Sequence, residues 1–334
     1  MTDAHSGDDH EPAASPAVVG AGTMGHAIAV ACAAGGHGTT LFDVSEPAIE
    51  TARERVDTAA RAIADHGARG IEAPGEITDR IEYVTRIEEA VDGAGIVIEA
   101  VPEERETKRE AFELIDRHAP DGAVLATNTS SFSIDELAAF VDDPTRFCGT
   151  HWFHPAHVVP GVEVVPGERT TGETLERASW FLDSIGKDPV VLRRDIPGFV
   201  ANRIQSAMAH EAWALLGADV ANAEEIDRIV KGTFGYRLPV LGVFEKADRS
   251  GLDVHHTVLS ELLPDLDRGT TPPEPLSELV ASGRLGEKTG RGVYDWSASD
   301  PDGADDDRIR RLLDLSSVYE SAADESVATS REHT

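Results

Sequence analysis

The stretch PAVVGAGTMGHAIAVACAAGGHGTTLFD, residues 16–43, decides the fold. Its apolar run at residues 16–19 predicts a short strand, and the alanine-rich run from about Met24 to Ala34 predicts a helix. A second strand is predicted to end on Leu41–Asp43. A strand, a glycine-rich turn, a helix and a further strand in this order are typical of a nucleotide-binding βαβ unit.

The glycine pattern of residues 20–25 matches G-x-G-x-x-G. Gly20 permits the tight turn, Gly22 lets the backbone approach a pyrophosphate, and Gly25 lets the helix pack closely on the strand. Thr23 and Met24 lie where the helix begins, and its free N–H groups and positive dipole end attract phosphate there. We therefore expect these five residues to bind a dinucleotide.

The residue that selects the cofactor is Asp43, 23 positions after Gly20 and at the end of the second strand. A carboxylate at this place accepts a hydrogen bond from a ribose 2'-hydroxyl and repels a 2'-phosphate. The next residues, Val44 and Ser45, provide no arginine for such a phosphate. The pattern therefore favours NAD over NADP, while FAD shares the glycine pattern and stays open.

Strands and helices alternate through residues 16–195, which predicts a Rossmann-type α/β domain with a doubly wound, mainly parallel sheet. The apolar run at Gly95–Ala100 is typical of a strand that is buried on both faces. The other predicted elements of this domain are the helices Pro47–His66, Glu104–His118 and Gly172–Ile185 and the strands Ala123–Ala126, Phe147–Phe153, Gly161–Val165 and Pro189–Leu192.

The pattern changes near Asp195–Pro197, where strand signals end and helical periodicity continues. We predict an all-α C-terminal domain over residues 196–320, and we expect residues 1–15 and the acidic residues 321–334 to be disordered tails. The predicted helices of this domain are Phe199–Leu216, Ala223–Gly232, Val243–Leu262 and Asp307–Val318.

The charge is strongly negative, with 61 acidic against 30 basic residues and a formal net charge of -31. Such a chain is a poor partner for nucleic acid or an anionic membrane, since both need a basic face. The acidic excess is spread along the chain, which favours a salt-adapted cytoplasmic protein over an ordinary acidic one. We expect no secretory leader, no membrane span and no metal site, and we predict that Cys32 and Cys148 are buried thiols.

The chemistry of an alcohol oxidation requires a base, and active groups of such sheets lie at the carboxyl ends of the strands. Two histidines, His151 and His154, end one predicted strand, and the hydroxyl-rich residues 127–131 follow another. Glu163 stands alone in an apolar strand, where a buried carboxylate needs a partner such as histidine. The alternative is that Glu163 faces solvent, and the sequence alone leaves both open.

Together these segments resemble the 3-hydroxyacyl-CoA dehydrogenase family in its two-domain, NAD-dependent form. The resemblance covers about residues 16–297. The matching pieces, in order, are residues 20–25, 97–103, 127–131, 151–153 with Glu163, 197–203 and 286–296.

The resemblance implies catalytic roles. His151 would be the general base in oxidation and the acid in reduction, and Glu163 would hold and polarise it. Ser130 and Asn202 would hydrogen-bond around the substrate oxygen. In the second domain, Pro197 would begin the first helix.

The resemblance also implies further cofactor contacts. Glu103 and Lys108 would contact the ribose side of NAD, although Lys108 could instead be an exposed helix residue. Lys288 would reach the cofactor from the second domain. His154 stands where the family has an asparagine that contacts the nicotinamide end.

The implied function is NAD-dependent oxidation of a (3S)-3-hydroxyacyl-CoA to a 3-ketoacyl-CoA, as in fatty acid β-oxidation, by a homodimer. Where CoA phosphates lie in the family, this chain has only Arg53, Arg55, Arg61 and Arg69 among many acids. The alternatives are a sister dehydrogenase for a non-CoA 3-hydroxy compound, such as carnitine or a sugar acid, and a non-catalytic NAD-binding protein. A dehydrogenase with a catalytic lysine would need Lys187, which we interpret as part of a structural turn.

Overall fold

A computed structural model of the chain describes residues 15–297, 307–316 and 318–319. The described residues divide into two compact units, one that ends at Phe199 and one that begins at Val200. The first unit alternates strands and helices, and the second is helical. The tails predicted for residues 1–15 and 321–334 lie outside the described residues, apart from Ser15.

The described residues of the first unit form eight strands, seven α-helices and two short 3-10 helices, Ala68–Gly70 and Pro144–Arg146. The strands are β1 (Pro16–Val19), β2 (Thr39–Phe42), β3 (Ile81–Val84), β4 (Ile96–Glu99), β5 (Val124–Thr127), β6 (Phe147–Trp152), β7 (Gly161–Pro166) and β8 (Asp188–Val191). The helices are α1 (Gly25–Ala34), α2 (Glu46–His66), α3 (Gly75–Thr78), α4 (Ile87–Val91), α5 (Arg105–His118), α6 (Ile134–Ala138) and α7 (Gly172–Ser184).

The strands form one sheet in the order β3-β2-β1-β4-β5-β6-β7-β8. All neighbouring strands are parallel except β6 and β7, which are antiparallel. The strand order reverses between β1 and β4, and ligands of such sheets bind at the carboxyl ends beside this point. The predicted Rossmann-type, mainly parallel sheet is confirmed.

The longest helix of the unit, α2, shows how local sequence sets an element. The side chain of Ser45 accepts a hydrogen bond from the backbone N–H of Ala48, and Pro47 occupies the first turn, where a missing N–H costs nothing. The helix ends at Gly67, whose φ of +68° is the left-handed conformation that closes many helices. Its buried residues recur every three or four positions: Ile49, Ala52, Val56, Ala59, Ala60 and Ile63.

The core lies in two apolar layers, one on each face of the sheet. Val18 and Ile98 belong to the layer that contains α1, and Ala17 and Val97 belong to the layer that contains Phe112 of α5. Because side chains alternate along a strand, a sheet with helices on both faces has strands that are apolar at every position. Cys32 and Cys148 are free and buried, as predicted.

The second unit contains six further named helices, and Asp307 begins another helical stretch, residues 307–316. No helix in the described part of the chain is long and apolar enough to cross a membrane. The named helices are α8 (Ala201–Gly217), α9 (Ala223–Gly232), α10 (Phe234–Arg237), α11 (Val243–Ser250), α12 (Leu252–Leu262) and α13 (Glu274–Ala281).

Two sequence predictions in this region are wrong. The helix predicted over Val243–Leu262 is interrupted at Gly251, whose φ of +91° is not helical. The first helix begins at Ala201 rather than at Pro197 or Phe199, because Gly198 and Phe199 both have positive φ. The sequence also missed strand β3 and the short helices α3, α4, α6, α10 and α13.

Candidate active site

The glycine turn after β1 is shaped by close backbone contacts. Gly20 has a φ of +107°, and a Cβ there would lie 2.7 Å from the carbonyl oxygen of Ala100, which follows β4. A Cβ on Gly25 would lie 1.7 Å from the carbonyl oxygen of Gly20. Both positions therefore exclude any side chain, and they bring the start of α1 close to the carboxyl ends of β1 and β4.

Gly22 differs from these two glycines, because a Cβ there would meet no protein atom within 4 Å. The protein itself therefore does not require glycine at this position, whereas a ligand lying on the backbone would. Among the described residues, the backbone N–H groups of Gly22, Thr23 and Met24 have no hydrogen-bond partner. Free N–H groups at a helix N-terminus fit the pyrophosphate of a dinucleotide.

Asp43 lies at the end of β2, next to this turn. One carboxylate oxygen accepts from the backbone N–H of Ala21 at 2.9 Å, and the other accepts from that of Ser45 at 3.0 Å. These bonds leave the half-buried carboxylate with further lone pairs, since each oxygen accepts about two hydrogen bonds. Its place fits the ribose hydroxyls of NAD.

His151 and Glu163 are a directly opposed pair on the antiparallel strands β6 and β7. Nδ1 of His151 lies 2.7 Å from Oε2 of Glu163, and the two residues are only 2% and 6% exposed. The solvent-facing alternative for Glu163 is thus excluded. A carboxylate that accepts from Nδ1–H leaves Nε2 able to accept a proton.

Ser130 provides the contact on the other side of the ring. Its Oγ lies 3.2 Å from Nε2 of His151, and Ser130 is exposed while His151 is buried. Two phenyl rings also pack on the imidazole: those of Phe153 and Phe199, with ring centroids at 4.5 and 5.3 Å. The sequence pointed to neither ring as part of the site.

Glu103 holds the loop that carries Ser130. Its Oε1 accepts from the backbone N–H groups of Ser130 and Ser131 at 2.9 and 3.0 Å and from the hydroxyls of Thr129 and Ser131 at 2.6 and 2.9 Å. Burial alone would raise the pKa of Glu103, but these hydrogen bonds and the charge of Lys108 outweigh it and lower the pKa. Glu103 is therefore charged, and its hydrogen bonds hold the loop in place.

Lys108 is 1% exposed, so the interpretation of an exposed helix residue is wrong. Its Nζ lies 2.7 and 3.0 Å from the two carboxylate oxygens of Glu99 and 3.1 Å from Oε2 of Glu103. Burial raises the pKa of Glu99, and Lys108 and the hydroxyl of Thr127 oppose that rise. These contacts occupy the three protons of Lys108, and a direct bond from Lys108 to the cofactor stays a prediction.

Three further histidines lie near the turn between β6 and β7. His154 is exposed, whereas burial lowers the pKa of His26 to about 4 and that of His157 to about 3. A smaller part of both shifts comes from the charge of His154. His26 and His157 are therefore neutral near pH 7. A contact between His154 and the nicotinamide end stays a prediction.

Lys187 lies in the turn between α7 and β8, and its side chain is buried. Its Nζ donates to the carbonyl oxygens of Ala156 and Val159 at 2.7 and 2.8 Å. Burial lowers its pKa to about 7, and the charge of Arg69 adds to the shift. These bonds tie the turn that follows His151 to the start of β8, in agreement with a structural role.

Two predicted site residues belong to the second unit. Asn202 lies in the first turn of α8, and Lys288 lies in a short 3-10 helix, Glu287–Thr289. Their roles beside the substrate and the cofactor stay predictions. In the described part of the chain, no group of three or more His, Cys, Asp or Glu residues could hold a metal ion.

The sheet thus carries a turn shaped for a dinucleotide after β1 and a His–Glu pair on the adjacent strands β6 and β7. These two features define an NAD-dependent dehydrogenase of the doubly wound α/β class. Comparison with known proteins agrees. The family description "3-hydroxyacyl-CoA dehydrogenase, NAD binding domain" matches residues 15–196, and "3-hydroxyacyl-CoA dehydrogenase, C-terminal domain" matches residues 198–296. The chain belongs to the 3-hydroxyacyl-CoA dehydrogenase family, and NAD is its cofactor.

Relatives within this family differ in substrate. A 5-formyl-3-hydroxy-2-methylpyridine 4-carboxylate 5-dehydrogenase of Mesorhizobium japonicum is 33% identical over 304 residues, 91% of this chain and 97% of the relative. A solved structure of an enzyme with this activity, described as an NAD+-dependent dismutase, is 31% identical with a TM-score of 0.86 over 92% of this chain and 99% of the other. An (S)-3-hydroxybutyryl-CoA dehydrogenase from Ralstonia eutropha is 34% identical with a TM-score of 0.68 over 85% of this chain and 99% of the other.

Proposed function

We propose that the chain interconverts a hydroxyl and a carbonyl group with NAD, using His151 as the acid/base. The observation that carries this proposal is the line of contacts from Glu163 through His151 to Ser130, at 2.7 and 3.2 Å. A buried carboxylate fixes one nitrogen of the ring, and the other nitrogen faces an exposed hydroxyl. This is the arrangement that a general base needs in order to take a proton from an alcohol.

In oxidation, Nε2 of His151 takes the proton of the substrate hydroxyl while the carbon loses a hydride and the C=O bond forms. Bound NAD supplies the hydride acceptor at its nicotinamide ring. Glu163 stabilises the positive charge that appears on His151, since the two groups are buried together. In reduction His151 returns the proton to the carbonyl oxygen.

The remaining site residues hold this geometry. Once the substrate hydroxyl takes its place at Nε2 of His151, Ser130 can donate to the substrate oxygen. Glu103 keeps the Ser130 loop in place by accepting from the backbone N–H groups of Ser130 and Ser131. Asn202 would add a second donor to the substrate oxygen, and Lys288 a contact to the cofactor. Gly20–Gly25 and Asp43 would hold the pyrophosphate and the ribose of NAD.

For the substrate we favour a compact hydroxy or carbonyl compound without coenzyme A. The arginines near the long helix α2 are already engaged: Arg53 lies 3.9 Å above a tyrosine ring, Arg61 pairs with an aspartate at 2.8 Å, and Arg69 donates to two backbone carbonyl oxygens. Only Arg55 has no such partner among the described residues. A CoA moiety brings several phosphate charges, and a net charge of -31 repels them.

The relatives support the same choice, because the pyridine carboxylate dehydrogenase matches almost the full length of both chains. The second candidate is the (3S)-3-hydroxyacyl-CoA predicted from the sequence. The family description and the 34% identity to a 3-hydroxybutyryl-CoA dehydrogenase favour it. The predicted homodimer rests on the family resemblance, and light scattering of the purified chain tests it.

The experiment measures steady-state rates with NADH and four carbonyl substrates: acetoacetyl-CoA, a longer 3-ketoacyl-CoA, dehydrocarnitine and 5-formyl-3-hydroxy-2-methylpyridine 4-carboxylate. Each is tested at low and at high KCl. Higher kcat/KM with either compact compound supports the proposal, whereas higher values with the thioesters support the second candidate. His151→Ala should abolish turnover and keep NAD binding. Turnover that survives this change would refute the mechanism.

A further inference from the structure

The imidazole of His151 is enclosed by aromatic rings as well as by hydrogen bonds. The rings of Phe153 and Phe199 meet it at interplanar angles of 65° and 62°. These are edge-to-face contacts, an arrangement that aromatic rings prefer over a stacked sandwich. We call Phe153, His151 and Phe199 the aromatic clamp.

Phe199 reaches this position through an unusual backbone conformation. The backbone N–H of Phe199 donates to the carbonyl oxygen of Ile196 at 2.9 Å, which closes a turn over Pro197 and Gly198. Gly198 has a φ of +75°, as a glycine in such a turn commonly does, and Phe199 follows with a φ of +50°. A bulky residue with positive φ is strained, because its Cβ crowds the neighbouring carbonyl oxygen.

Strain of this kind persists only where the surroundings demand it, and it is common at functional sites. Phe199 is 1% exposed and is the last residue of the first unit. The turn before Phe199 leads the chain to the second unit, and the ring of Phe199 contacts His151. The same residue thus ends the NAD-binding unit and packs against the proposed acid/base.

The hydrogen bonds of His151 hold its two nitrogens, and the packing around the ring resists a change of its plane. Glu163 and Ser130 each contact one nitrogen, at 2.7 and 3.2 Å. Since the ring is joined to the backbone through Cβ, its plane turns only by changes of the side-chain torsions. Such a change must push against the two phenyl rings of the aromatic clamp, whose centroids lie 4.5 and 5.3 Å from that of the imidazole.

We propose that Phe199 is a positioning residue of the reaction: its ring fixes the plane of the His151 imidazole, so that Nε2 faces the substrate oxygen. The inference rests on the proposed function of His151 as the acid/base. Phe199 touches neither the substrate nor the reacting atoms in this role. It acts through His151, together with Phe153.

The alternative is that Phe199 is plain core, since it belongs to the same apolar layer as Phe112. Phe112 offers a matched control. It is 0% exposed, and its ring packs edge-to-face on Phe147 at 4.9 Å rather than on His151. Replacing either phenylalanine by leucine removes one buried ring from the same layer, and only one of the two changes touches the aromatic clamp.

The experiment compares Phe199→Leu with Phe112→Leu in the full chain. We expect Phe199→Leu to lower kcat about 10- to 100-fold, as small misplacements of a catalytic group do, while KM and the Kd for NAD change less than about threefold. The kinetic isotope effect with NADH deuterated at C4 should rise, because the chemical step becomes slower. Phe112→Leu should lower Tm to a similar degree and leave kcat within about twofold of the unmodified chain. Equal kcat for the two variants would overturn the proposal.

Two further variants keep the test decisive. If Phe199→Leu does not fold, Phe153→Leu removes the other ring of the clamp from a half-buried position, and an unchanged kcat there would also overturn the proposal.

The strain of the Phe199 backbone is tested by comparing Phe199→Gly with Phe199→Ala: at positive φ we expect the glycine variant to have the higher Tm, by about 2–4 °C. The reverse order would contradict the strained backbone.

The failure of this inference differs from the failure of the proposed function. If His151→Ala keeps full activity, His151 is not the acid/base, and both the proposed function and the positioning role of Phe199 are refuted. If His151→Ala is inactive and Phe199→Leu is fully active, the proposed function is supported and only the positioning role of Phe199 is refuted.

Discussion

Replacing Glu163 by glutamine removes the charge that faces His151 and keeps the size of the side chain. In the folded chain, Oε2 of Glu163 lies 2.7 Å from Nδ1 of His151, and both residues are buried. When His151 takes the substrate proton, the ring becomes positive beside this carboxylate. Glutamine offers only a dipole in place of that charge, and its amide can also present a donor to Nδ1 and so disturb the tautomer.

The size of the effect follows from Coulomb's law. Two unit charges about 4 Å apart attract by about 4 kcal/mol at an effective dielectric constant of about 20, and a neutral hydrogen bond recovers about 1 kcal/mol of this. The net loss of about 3 kcal/mol corresponds to a fall of about 100-fold in kcat, since each 1.36 kcal/mol is tenfold. The Kd for NAD should stay within about twofold, because Glu163 lies outside the glycine turn and Asp43.

The assay is steady-state oxidation and reduction with the best substrate, together with fluorescence titration of NADH. Glu168→Gln is a matched control, since it removes the same charge from an exposed position two residues after β7. It should leave kcat unchanged. A Glu163→Gln enzyme with kcat within about threefold of the control would refute the electrostatic role of Glu163.

Three other perturbations test separate parts of the structure. Asp43→Ser should narrow the preference for NAD over NADP by about 10- to 100-fold in kcat/KM, since it removes a charged acceptor, and an unchanged ratio would contradict the role of Asp43. In the folded chain the pKa of Lys187 is about 7, and in the unfolded chain it has its ordinary value of 10.5. Between pH 7 and pH 10.5, unfolding therefore takes up a proton. The free energy of unfolding then rises by about 1.4 kcal/mol for each pH unit. Urea unfolding at pH 7 and pH 9 should show this gain, about 2–3 kcal/mol, in the unmodified chain and not in Lys187→Met. Raising KCl from about 0.1 M to about 2 M should raise Tm, because salt screens the repulsion of a chain with a net charge of -31, and a falling Tm would count against salt adaptation.

Much of the sheet could be predicted because its strands carry their own signal. The runs at β1 and β4 are apolar at nearly every position, which a strand buried on both faces requires. Strand β3 was missed because it is only partly buried, with the pattern of one buried residue followed by exposed and intermediate ones. The helix predicted across Gly251 failed because apolar periodicity continues on both sides of a residue that only the folded backbone shows to be non-helical.

The site was predictable in part for a related reason. Glu163 attracted notice because a lone carboxylate in an apolar run is costly unless it has a partner. Nothing in the sequence indicated that Phe199 contacts His151, since 48 positions separate them, or that Lys108 is buried between two carboxylates. Both contacts join residues of different elements, and the local hydrophobic periodicity of a sequence does not predict contacts between elements.

The sequence by itself determined the nucleotide half of this protein. The glycine turn, the helix that opens on it and the carboxylate of Asp43 lie within residues 16–43, so one short stretch carries the whole pattern. The fold adds the close approach of Gly20 to Ala100, which follows β4. For the chemical half, the family resemblance implied the roles of His151 and Glu163, and the tertiary structure decided how the two residues meet. It set β6 antiparallel to β7 with His151 opposite Glu163, and it brought Phe199 against the ring. Strand order and register decide which distant residues face each other, and a shift of one residue would have turned these side chains to the opposite face of the sheet.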